Sequence, residues 1–116
     1  MPHFVVEVSE SVLAEQGAQC IIDCVKIAAI ESKLFEPQDI KCRLQSFQYF
    51  DCGHPKLRFI HVFAKILSGR TLTQKQALSA AVITKLQELS VRQVSLTAEV
   101  ADIERESYAK HVTLSD

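Results

Sequence analysis

The chain opens Met1-Pro2-His3-Phe4-Val5-Val6-Glu7-Val8, an apolar strand that begins almost at the first residue. Proline suits the head of a strand, where the ladder needs no hydrogen bond from its nitrogen. The same placement can do chemistry. Initiator methionine is commonly removed when the second residue is small. Pro2 then carries a free secondary amine, held rigidly at a sheet edge. A chain-end amine titrates near ~8, well below a lysine, and apolar burial lowers it further by desolvating the charged form. Such an amine is a general base close to neutral pH. The plain alternative is a strand that merely starts with proline.

Other reactive side chains are scattered. His3 and His61 are each either a proton relay or a packed strand histidine. Cys20, Cys24, Cys42 and Cys52 form no C-x-x-C pair. We read them as buried thiols in a reducing compartment rather than a metal or disulfide framework. No metal site is expected.

With 116 residues and 47% hydrophobic side chains, the chain is expected to form one domain, 1–116, with its own core. Thirteen basic and 14 acidic residues leave a net charge of -1, and no basic stripe points to nucleic acid. No signal peptide and no apolar run long enough for a membrane is seen. A cytoplasmic location is the expectation.

The elements that must position Pro2 follow from hydrophobic periodicity. In the first strand Phe4, Val6 and Val8 face one way, and His3, Val5 and Glu7 the other. Leu13, Gly17, Cys20, Ile21, Cys24, Val25 and Ala28 form a stripe on a helix expected over 12–32. Gly17 inside it is explained by close approach to a strand. A second strand is expected over 39–50, with a β-bulge near Ser46 that turns Phe47 and Tyr49 onto the face of Ile40, Cys42 and Leu44. A third strand, 57–66, carries Ile60, Val62, Ala64 and Ile66 on one face. Thr71 and Gln74 have the spacing of a capping box ahead of a helix bearing Leu78, Ala81, Val82, Leu86 and Leu89. A fourth strand covers 93–103, and a polar tail holds Tyr108, Lys110 and His111.

This order is βαβ twice, about 1–50 and 57–103. It predicts an α+β two-layer sandwich: a four-stranded mixed sheet with strands one and three adjacent and two helices on one face. The opposite face would carry His3, Val5, Glu7, Arg43, Phe59, His61, Phe63, Thr97 and Glu99. Phe59 and Phe63 are too apolar for a wet face, which predicts an oligomer with inward-facing sheets.

Met1-Pro2-His3-Phe4-Val5-Val6-Glu7, the Ser68-Gly69-Arg70 turn and Ser107-Tyr108-Ala109-Lys110-His111 resemble the 5-carboxymethyl-2-hydroxymuconate isomerase family of the tautomerase superfamily. The resemblance covers nearly the whole chain. It departs in a shorter loop around Asp51 to Lys56 and in a short tail. It implies a tautomerase-like homotrimer with an amino-terminal proline base, Pro2, and no cofactor. It implies an enol or dienol carboxylate as substrate, in the breakdown of homoprotocatechuate. Arg43 and Arg70 match the positions that bind substrate carboxylates. Arg70 also lies just before a helix amino terminus, where anions are favoured. Each arginine has a plain alternative, solvated or intersubunit for Arg43 and structural for Arg70. The competing function is a trimeric structural or binding protein of the same fold without isomerase activity.

Overall fold

The computed structural model describes residues 1–114. Its elements are β1 (His3–Ser9), α1 (Glu10–Gln16), α2 (Ala18–Glu31), β2 (Lys41–Phe47), β3 (Arg58–Leu67), α3 (Leu72–Gln87) and β4 (Val94–Ile103). The sheet order is β2-β1-β3-β4. β1 runs parallel to β2 and antiparallel to β3, and β3 runs parallel to β4. The mixed four-stranded sheet and the doubled βαβ order are therefore as the periodicity predicts.

One face of the sheet is the core. Phe4, Val6, Val8, Ile60, Val62, Ala64 and Ile66 are buried there beneath Ile21, Val25 and Ala28 of α2 and Leu78, Val82 and Leu86 of α3. Val82 shows what holds α3 down. Its helix propensity is below alanine's by less than ~1 kcal/mol, whereas burying its side chain contributes about 1.5–3 kcal/mol. The capping box starts α3 as expected: Gln74 N donates to Thr71 Oγ1 at 3.1 Å, and Thr71 N to Gln74 Oε1 at 2.8 Å.

The expected single helix over 12–32 is broken in two at Gly17. That residue has φ 83° and ψ 143°, and its N–H closes α1 on Leu13 O at 2.8 Å. Close approach is not the reason for the glycine, because a Cβ there would have no heavy atom within 4 Å. The backbone angles are the reason, since a side-chain-bearing residue is strained there. Gly17→Ala should destabilise the fold by about 1–3 kcal/mol, read from urea unfolding at fixed protein concentration. An unchanged midpoint would show that the break relaxes without cost.

Strand two also differs from expectation. It ends at Phe47, and its residues pair one-to-one with β1 from Lys41 to Phe47, without a bulge. Phe47 stays on the face of Arg43 and meets the Phe59 ring at 6.0 Å, with Phe50 on Phe59 at 5.1 Å. An apolar residue on that face is satisfied by this aromatic cluster, so the alternation need not slip. Tyr49 lies outside the strand and is 85% exposed.

The four cysteines are free, but none is fully buried, and Cys20 is exposed. Cys20 lies in the first turn of α2, on the side left to solvent. Partial burial pushes the Cys24 and Cys42 thiols above their usual value, which keeps them protonated and unreactive. No helix among the described residues is long and apolar enough to cross a membrane.

Candidate active site

Pro2 is buried at the head of β1, and its carbonyl accepts from Lys41 N at 3.0 Å, the first rung between β1 and β2. The chain start is thereby pinned to the sheet. Met1 and His3 border a cleft of about 730 Å³. Ile22, Asp23 and Lys26 of α2 form one wall, Cys42 and Arg43 of β2 another, and the tail from Tyr108 to Val112 a third.

The tail folds back across the chain start. His3 Nε2 lies 3.0 Å from Tyr108 Oη, and Arg43 Nη1 lies 3.3 Å from His3 Nδ1. A guanidinium only donates, so Nδ1 must accept and Nε2 carries the proton, donated to the Tyr108 oxygen. Burial, then the charges of Arg43, the chain end, Lys41 and Lys65, hold His3 below its usual value of 6.5. A neutral imidazole suits this arrangement, and the Tyr108 hydroxyl keeps its own proton to donate into the cleft. Sequence reasoning treated His3 as relay or packing, and Tyr108 only as part of the polar tail. The structure joins the two at the cleft wall. His61, by contrast, lies on the open sheet face, held by Thr97 Oγ1 at 2.6 Å and Glu99 Oε2 at 2.7 Å.

The chain-end amine, here that of Met1, titrates below the 8.0 of a free chain end. Burial is the main cause. Asp39 opposes it, and Lys110, Arg70 and Arg105 add to it. Arg70 is half-buried in the turn before α3. It donates to Leu34 O at 2.5 Å and stacks 5.4 Å from the Phe35 ring centre. Arg43 is exposed on the open sheet face and reaches the site through His3. The two expected arginines thus approach the chain start by different routes: Arg43 lines the cleft, while Arg70 acts through its charge on the amine.

Lys110, Asp39 and Arg105 were not picked out as site residues from sequence. Lys110 Nζ lies 3.6 Å from Asp39 Oδ1, which ties the tail to the turn before β2. Lys110 falls within the tail stretch already singled out; Arg105 had no local signal at all. Among the described residues no group of three or more His, Cys, Asp or Glu side chains is placed to hold a metal ion.

The family model for 5-carboxymethyl-2-hydroxymuconate isomerase matches residues 2–116. The chain belongs to that family. No curated protein matches it in sequence. Among solved structures, it is similar to a 5-carboxymethyl-2-hydroxymuconate isomerase from Deinococcus radiodurans R1. Identity is 20%, with 97% of this chain and 90% of that one covered, at a TM-score of 0.79. A 5-carboxymethyl-2-hydroxymuconate delta-isomerase matches at 13% identity over 97% and 89% of the chains, again at 0.79. A structure described as a fused 4-OT wild-type symmetric trimer matches at 17% identity over 97% and 94%, at 0.75. These likenesses show the fold; membership of the isomerase family rests on the family match.

Proposed function

We propose that this chain moves a proton within a dienol or enol carboxylic acid of the 5-carboxymethyl-2-hydroxymuconate type, with the amine of Pro2 as general base once Met1 is removed. The chain start carries the reading. It is pinned to β2 and buried, and burial first, then the nearby cations, lowers an amine there from the 8.0 of a free chain end. A chain-end amine lowered in this way gives up its proton more readily than a free one, which suits a general base.

Pro2 takes the proton from the dienol oxygen and returns it to carbon, giving the conjugated ketone. One base suffices for both steps, so the reaction needs no cofactor. Negative charge spreads over the dienolate as the proton leaves. Arg70 and Arg43 stabilise that charge and hold the carboxylates, for which a planar guanidinium fork is well matched. The Tyr108 hydroxyl, oriented by neutral His3, offers a further donor toward the enolate oxygen. The test is conversion of a 2-hydroxymuconate by the Pro2-started chain, followed as loss of dienol absorbance. Absence of turnover on any enol acid would leave a binding or structural protein of the same fold.

We also propose that the chain assembles as a homotrimer through its open sheet face. Val5 and Phe63 pair half-buried on that face, which also carries the Phe47–Phe59 cluster toward its other end. Apolar groups on an uncovered sheet face are the usual mark of a subunit contact. Sedimentation at micromolar concentration should give the mass of a trimer. A clean species of 13.0 kDa would remove the proposal.

A further inference from the structure

The walls of the chain-start cleft are built in two ways. α2 and β2 are regular elements, held by main-chain hydrogen bonds along their length. The tail is not. β4 ends at Ile103, and a 3-10 turn follows at Arg105–Ser107. Tyr108 N donates to Arg105 O at 3.4 Å, and from Ala109 to Leu114 no main-chain group bonds to another among the described residues. Of residues 104–114 only Tyr108 is half-buried. Val112 and Leu114 stay exposed, so no apolar anchor holds the segment.

Two side-chain contacts hold it instead. His3 Nε2 donates to Tyr108 Oη at 3.0 Å, and Lys110 Nζ lies 3.6 Å from Asp39 Oδ1. His3 belongs to β1, and Asp39 to the turn before β2. Those two elements meet where Lys41 N bonds Pro2 O. The tail therefore crosses the chain start as a strap fastened on either side of it. The Lys110 fastening is weak, because both side chains reach solvent and their separation exceeds a hydrogen bond. A segment with so few bonds opens locally while the sheet beneath it stays folded. The His3 fastening leaves a donor free. Tyr108 Oη accepts from His3, so its own proton points elsewhere. An acceptor in the cleft that takes this proton adds a third fastening, and a ligand favours the state it binds better.

We infer that residues 108–112 form a strap that opens over the chain start in the free protein and closes when an anionic oxygen in the cleft accepts the Tyr108 hydroxyl, with His3 as its latch. The inference rests on the reading of that cleft as the tautomerase site, and it adds how the site opens and closes.

The chain has two tyrosines, which makes the strap observable. Tyr49 is exposed and serves as the reference. The Pro2-started chain carrying 3-fluorotyrosine gives fluorine NMR signals for these two residues, assigned with Tyr49→Phe. The Tyr108 signal should exchange between a covered and an exposed environment, seen as relaxation dispersion. Saturating cis,cis-muconate, a stable dienoic acid, should raise the covered-to-exposed ratio about 10-fold, as for one hydrogen bond to a charged group. His3→Phe should move the Tyr108 signal toward that of Tyr49 and remove most of the muconate response. Asp39→Asn frees only the Lys110 end and should shift the ratio toward open by roughly 2- to 5-fold, the weight of an exposed ion pair. That variant, with muconate, carries the test if His3→Phe fails to fold. A Tyr108 signal in one environment, moved by neither the variants nor muconate, would overturn the inference and leave the tail a fixed wall. A ratio that answers to the variants but not to muconate would overturn it as well. A strap that closes on muconate in a chain that isomerises nothing would support the inference and count against the catalytic reading alone.

Discussion

The chain that begins at Pro2 should convert a 2-hydroxymuconate about 10²- to 10⁴-fold faster than the same chain with Met1 attached, the usual contribution of one general base. With Met1 in place the Pro2 nitrogen is an amide, and its lone pair is delocalised into the carbonyl. Met1 also stands at the mouth of the cleft, in the space a substrate needs. Stability should change far less than rate. The Pro2 carbonyl, which pins the start of β1 to Lys41 N, is present in both forms. Intact mass identifies each form before assay.

The pH dependence of the processed form follows from the same surroundings. Burial, Lys110, Arg70 and Arg105 disfavour a protonated amine at the chain start, and Asp39 opposes them. The base is active when unprotonated, so activity is full above its pKa and falls as pH drops through it. The midpoint should lie below the 8.0 of an unperturbed chain end. Equal rates from the capped and processed forms would exclude Pro2 as the base.

Arg70→Ala should lower kcat/KM for a dicarboxylate enol by roughly 10- to 100-fold, the value of a lost charged hydrogen bond of about 1.5–3 kcal/mol. A neutral enol should be affected much less. Arg70 also caps the Leu34 carbonyl and packs on Phe35. The substitution therefore carries a stability cost of about 1–3 kcal/mol for the carbonyl left unpaired, measurable by denaturant unfolding. A comparison of the two substrates on the same folded variant separates the roles. Equal losses on the charged and neutral enols would assign Arg70 to structure alone.

Much of this molecule is written locally. Alternation of Phe4, Val6 and Val8 named the buried face of β1, because strand side chains repeat every two residues whatever lies opposite. Thr71 and Gln74 marked the start of α3, because a capping box closes within one turn. Pro2 could be singled out from its place behind Met1, since its chemistry depends on the covalent chain end.

What sequence missed involves either backbone angles or chain reversal. Gly17 fits a helical stripe by spacing, and only its φ of 83° reveals a break. Phe47 invited a bulge because its partner Phe59 reaches it only in the folded sheet. The site is the extreme case. His3 meets Tyr108 across 105 positions of chain, and Arg105 reaches Ser68 across 37. No local period connects such residues. The sequence alone determined the four-stranded sheet, the start of α3 and a proline that can become a base. Only the tertiary structure decided which charges surround that proline, because Asp39 and Arg70 come from two separate turns and Arg105 and Lys110 from a tail that begins where β4 ends beside β3.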